Sequence, residues 1–152
     1  GNTNVTQNFV SVLKKKKKNT HIMLSSSIQA ECHNAYGKSK ATAEKIIQQY
    51  GETTNAKYYI YRLPNVFGKW CRPNYNSFIA TFCHRIANDE TITINDPSAV
   101  VDLVYIDDFC SDILKLLEGA NETGYRTFGP IYSVTVGEVA QLIYRFNESR
   151  QT

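Results

Sequence analysis

The sequence predicts an α/β fold with a largely parallel sheet. Short apolar runs end in small polar residues, and amphipathic segments of helix length lie between them. A core is affordable: 42% of the 152 residues are hydrophobic and 20% charged, which excludes a disordered chain. With no internal repeat and no composition shift, residues 1–152 read as a single domain.

Asn8 to Leu13 carries apolar residues at 9, 10, 12 and 13, a short amphipathic helix that runs into Lys14–Lys18. His21 to Leu24 is a compact apolar run closed by Ser25, Ser26 and Ser27, the pattern of a strand buried on both faces. Tyr36 to Tyr50 is rich in Ala, Lys, Glu and Gln, with Ala43, Ile46, Ile47 and Tyr50 on one stripe, so it predicts a helix with Gly51 as its stop. Tyr58 to Leu63 predicts a second strand, halted by Pro64.

A loop through Gly68 and Pro73 leads to a helix from Ser77 to Ala87. Thr91–Ile94 and Val100–Ile106 are strand-like runs around an Asn95-Asp96-Pro97 turn. Asp107 and Asp108 precede an amphipathic helix to Leu117, where they read as caps, and Gly119 closes it. Thr135 and Glu138 form a capping-box pattern opening a last helix through Phe146.

Net charge is +3, concentrated in the lysine run. That run reads as a solvated helix end, with an anionic-membrane or nucleic-acid patch as the competing reading. The rest of the chain lacks the aromatic-interleaved basic pattern of single-strand binders, so no nucleic-acid partner is expected. Four cysteines and three histidines show no zinc spacing; free, mostly buried thiols are expected, and no metal. No apolar stretch reaches the ~18 residues of a membrane span, and no leader pattern opens the chain, so a cytoplasmic setting is expected.

Chemistry concentrates at Tyr36 and Lys40, four residues apart and therefore on one helix face. A phenol titrating near about 10 is a poor acid or base at neutral pH. A nearby ammonium and the positive end of a helix favour the phenolate, making it usable for a carbonyl/alcohol pair. A third group bonding the same oxygen would come from the serines that end the preceding strand, since that edge of a parallel sheet faces the ligand crevice. The plain alternative is an exposed cross-turn pair.

Ser27, then Tyr36 and Lys40, then Arg62, Asn65 and Gly68, then Tyr105-Ile106-Asp107-Asp108 occur in the order found in the extended short-chain dehydrogenase/reductase family, of NAD-dependent epimerase/dehydratase type, which the sequence resembles from Asn4 to Phe146. The segments 24–30, 36–40 and 65–77 resemble more narrowly its capsular-polysaccharide UDP-sugar reductases. The resemblance implies a Rossmann-like parallel sheet with helices and an oxidoreductase using NADP or NAD. It implies that Ser27 contacts the substrate oxygen, with Ser26 as the fallback, and that Tyr36 passes the proton. Lys40 would tune Tyr36 and hold the nicotinamide ribose, Pro64 would lie beside the nicotinamide, and Asn65 would face the sugar diphosphate. By position, Trp70, Arg72 and Asn74 lie on a loop expected to cover the sugar. Arg62 is as readily structural as functional.

The implied reaction is reduction of a UDP-linked 4-keto-6-deoxy amino sugar for capsular or surface polysaccharide synthesis. The alternatives are a nucleotide-sugar 4-epimerase, or a non-catalytic remnant or scaffold. Ile28 and Gln29 follow Ser27 where dehydratases carry an acid pair, which disfavours dehydration. The eight glycines form no G-x-x-G-x-x-G or G-x-G-x-x-G turn. Aligned to the family, the chain starts near its fourth helix. The expectation is a part lacking the N-terminal dinucleotide-binding βαβ units, inactive alone, with an exposed sheet edge that favours a homodimer.

Overall fold

The computed structural model describes residues 2–17, 19–119 and 122–150; Lys18, the end of the lysine run, lies outside the described residues. In chain order the elements are α1 (Asn2–Lys15), β1 (Ile22–Ser27), α2 (Ala35–Thr54), β2 (Tyr58–Leu63), β3 (Asn65–Phe67), α3 (Phe78–Ala87), β4 (Val100–Tyr105), α4 (Ile106–Glu118), β5 (Gly124–Tyr125), β6 (Tyr132–Thr135) and α5 (Val136–Glu148). The α/β alternation is as the sequence predicts. The chain divides into two compact units, Gly1–Pro64 with Lys115–Phe128, and Asn65–Leu114 with Gly129–Thr152.

In the first unit β1, β2 and β5 form a parallel sheet in the order β1-β2-β5. Register pairs Ser26 with Arg62 and Ser27 with Leu63, so the serines and the approach to Pro64 end at the same level. Val10 of α1, Ile22 of β1 and Ile47 and Tyr50 of α2 form one buried cluster with Ala56. Burying each of the larger side chains contributes about 1.5–3 kcal/mol. The Tyr50 hydroxyl enters this core only because it donates to the Thr20 carbonyl at 3.0 Å.

Two expectations about helices change here. The first helix is longer than its apolar pattern, starting at Asn2 and carrying Lys14 and Lys15 in its last turn, where cations complement the helix dipole. Gly51 does not stop α2, which continues to Thr54 and ends on Asn55 in the left-handed region at φ 57°. Gly51 is instead where the Tyr58 ring approaches too closely for a Cβ.

In the second unit β3 and β4 pair in parallel, and β6 joins β4 antiparallel, so the largely parallel expectation has one exception. Ser77 caps α3, and Thr135 and Glu138 make the reciprocal capping box of α5. Helices α3 and α5 share Phe82, Ile86 and Ala140. Thr91–Ile94 forms no strand; Ile92 and Ile94 pack onto this helix cluster, so their alternation serves burial without a ladder. Asp107 and Asp108 sit inside the first turn of α4 rather than capping it, where the dipole favours them. The cysteines also depart from expectation: all four are exposed, two in connections and two on helix surfaces.

Gly37, in the first turn of α2, faces the turn that follows β1, and a Cβ there would meet the backbone carbonyls of Gln29 and Cys32. Backbone cannot yield as a flexible side chain does. Gly37→Ala is expected to destabilise the chain by about 1–3 kcal/mol, read as a fall in the thermal midpoint.

Candidate active site

Strand alternation sends neighbouring serines of β1 to opposite faces, and the three make different contacts. The Ser25 carbonyl accepts from Lys40 Nζ at 3.3 Å. Ser26 is buried and its hydroxyl donates to Glu44 Oε1 at 2.5 Å. Ser27 Oγ accepts from the Gln29 backbone N–H at 3.2 Å, capping a 3-10 turn over Ile28–Glu31. That turn is the surface against which Gly37 packs, so one contact links the end of β1 to the amino end of α2.

Asn34 caps α2 by accepting from the Gly37 N–H at 2.7 Å. Tyr36 follows, 49% exposed, with Lys40 Nζ 5.7 Å from its ring centroid. The pair is therefore more than two side chains meeting in solvent: Lys40 is anchored to β1 through Ser25 while its charge lies over the Tyr36 ring.

Below this pair the structure holds a charged cluster that sequence reading missed. Glu44, 2% exposed, accepts from Ser26 and Arg62 Nε on one oxygen, and from Arg62 Nη2 and the Tyr125 hydroxyl on the other, at 2.5–3.1 Å. Arg62 also meets Glu31 and lies over the Tyr125 ring, 4.7 Å from its centroid. Burial pulls the Glu44 carboxyl upward, but the hydrogen bonds from Arg62, Ser26 and Tyr125 outweigh it, and the group is held below its ordinary value. Arg62 is raised, first by its bond to Glu44. The Tyr125 phenol is also raised, by burial and then by its bond to Glu44. The available signal was positional: Glu44 sits three residues before the buried Ile47, a carboxylate on an apolar helix face.

In the second unit Asn65 is exposed, and its Nδ2 donates to the Asp102 carbonyl at 3.4 Å. Pro64, half-buried, immediately precedes it at the end of β2. Trp70 is 98% exposed, and both Trp70 and Asn74 hold positive φ, at 68° and 54°. The Asn74 N–H donates to Thr81 Oγ1 at 2.9 Å, and the Arg72 guanidinium lies 5.8 Å from the Tyr75 ring centroid. Beside this loop is a cavity of about 350 Å³ walled by Phe67, Gly68, Cys71, Pro73, Ile79 and Ala80 among others.

The donor set of the first unit fits the nicotinamide-riboside end of a dinucleotide. A phenol and an ammonium share one helix face, and Lys40 also lines a cavity of about 240 Å³ between Val5, Leu24 and Ala43. The pyrophosphate end has no Gly-rich turn among this chain's glycines. Among the described residues no group of three or more His, Cys, Asp or Glu side chains is placed to hold a metal, and no helix is long and apolar enough to cross a membrane.

This parallel sheet with helix α2 packed on it is Rossmann-like, and the chain belongs to the NAD dependent epimerase/dehydratase family, whose profile matches residues 2–129. It is 44% identical over its whole length to the UDP-2-acetamido-2,6-beta-L-arabino-hexul-4-ose reductase of Pseudomonas aeruginosa, covering 41% of that protein. It superposes with a TM-score of 0.88 and 44% identity on the capsular polysaccharide assembling protein CapF from Staphylococcus aureus, covering 95% of this chain and 41% of that one. The UDP-glucose 4-epimerase of Thermus thermophilus, solved with NAD, is 20% identical with a TM-score of 0.78 over 94% of this chain and 53% of its own, a likeness of fold alone. The chain thus spans 41% of the length of the reductase and of CapF.

A carboxyl held below its ordinary value of 4.5 stabilises the fold fully above that value, and the contribution drains as pH falls through the lower folded value. Glu44→Gln is expected to lower stability at neutral pH by about 1–3 kcal/mol, because Arg62 keeps Glu31 but loses its second carboxylate, and the Ser26 and Tyr125 hydroxyls meet a weaker acceptor. It should also flatten the loss of stability as pH falls below about 4.5. Denaturant unfolding across that range checks both.

Proposed function

We propose that this chain provides the proton-transfer and sugar-facing part of a nucleotide-sugar oxidoreductase, reducing a UDP-linked 4-keto-6-deoxy amino sugar for capsular or surface polysaccharide synthesis, with NADP or NAD. The observation that carries the reading is Lys40, bonded to the end of β1 and lying over the Tyr36 ring. The 44% identity to a reductase of such a sugar supports it.

Tyr36 gives its hydroxyl proton to the C4 oxygen as the ketone becomes an alcohol, and its exposure leaves that hydroxyl open to a ligand. Ser27 hydrogen-bonds the same oxygen, and Ser26 acts behind it through Glu44 rather than on the sugar. Lys40 places its ammonium over the Tyr36 ring and would hold the nicotinamide ribose. Pro64 would lie beside the nicotinamide, which when bound would supply the hydride. Asn65 faces the diphosphate. Trp70, Arg72 and Asn74 present an aromatic face, a cation and an amide to the sugar nucleotide, beside a cavity of the size small ligands occupy.

Tyr36→Phe tests the reading. Consumption of reduced nicotinamide with the UDP-linked ketosugar should fall by about 10²–10⁴-fold. Turnover equal to that of the unaltered protein removes the proton-transfer assignment. Product analysis with isotopically labelled cofactor distinguishes net reduction from epimerisation.

A further inference from the structure

We propose that Glu44 is the positioning residue of this site: its buried carboxylate fixes α2 against β1, β2 and β5, and thereby sets where Tyr36 and Lys40 stand relative to Ser27. The proposal rests on the oxidoreductase reading for its catalytic consequence, but its geometric content stands on contacts within the first unit alone.

Tyr36, Lys40 and Glu44 lie at i, i+4 and i+8 of α2, so they form one stripe of the helix. The upper two residues face solvent or a cavity. Only Glu44 reaches side chains of three strands: Ser26 on β1, Arg62 on β2 and Tyr125 on β5. Two of those side chains are adjacent in sequence or register to a feature of the site. Ser26 precedes Ser27, and Arg62 pairs with Ser26 in the sheet two residues before Pro64.

A carboxylate with four donors directed at two oxygens fixes both the rotation and the axial position of its helix, as a non-directional apolar contact does not. Two helical turns away, a small rotation at Glu44 becomes a displacement of the Tyr36 ring. Core packing of Ala43, Ile47 and Tyr50 supplies adhesion on neighbouring positions of the helix; Glu44 supplies register.

The test uses the whole chain with 13C-labelled lysine and compares the unaltered protein, Glu44→Gln and Tyr125→Phe. Glutamine keeps the shape and one oxygen but turns an amide N–H toward donors of the cluster. The readout is the Lys40 side-chain resonance through its NOE to Ser25 of β1, since Tyr36 and Lys40 share one helix and keep their own spacing when it turns. In folded E44Q that NOE should be lost; in Y125F, which keeps the ring under Arg62 and removes one donor, it should weaken. If E44Q does not fold, Y125F decides. A folded variant with lower stability but an unchanged Lys40–Ser25 NOE overturns the proposal, because a purely structural role would do that. Where turnover is measurable, E44Q should lower kcat by about 10–100-fold with KM within about twofold, the signature of misplaced reacting groups; an unchanged kcat also overturns it. The resonance needs no turnover, so failure of the oxidoreductase reading leaves the geometric result legible on its own.

Discussion

Around the Glu44–Arg62 pair the first unit is organised by charge as well as by apolar burial. A carboxylate at 2% exposure is costly unless its lone pairs are met, and here Arg62, Ser26 and Tyr125 meet them. Such a pair adds little net stability over a well-packed apolar substitute, so its physical contribution is directional. Helix α2 can sit on the sheet in one register, the one that satisfies those donors. The exposed residues of its first two turns inherit that register.

The amino end of α2 is fixed a second time, by backbone. Asn34 caps it, and Gly37 lies against the carbonyls of Gln29 and Cys32 because it lacks a Cβ. Ser27 caps the turn that carries Gln29, so a serine with a proposed role toward substrate also has a local structural duty. Two functions on one hydroxyl are compatible, since an oxygen that accepts from a backbone N–H still has a proton to donate.

The second unit is built differently. Its core is helix on helix, α3 with α5, and its short mixed sheet carries no buried ion pair of the Glu44 kind among the described residues. The loop that holds Trp70 and Asn74 adopts left-handed backbone at two non-glycine positions, about 1–2 kcal/mol each, and is tied to α3 through Thr81.

Sequence by itself determined the helices α1 to α5, the strands β1, β2 and β4, the Thr135–Glu138 capping box and the facing of Tyr36 and Lys40, because periodicity and capping are local; β3, β5 and β6 have two to four residues each, too few to show a period. It also carried the family, through motifs whose order survives in one dimension. It misread Gly51, Thr91–Ile94 and the cysteines, each for a tertiary reason: the Tyr58 ring against a glycine, burial without a partner strand, and thiols on surfaces that composition cannot see. Only the fold brought Glu44, Arg62 and Tyr125 together across 81 residues of chain, and only the fold tied Lys40 to Ser25. A hydrogen bond between distant strands has no period, so no local pattern announces it.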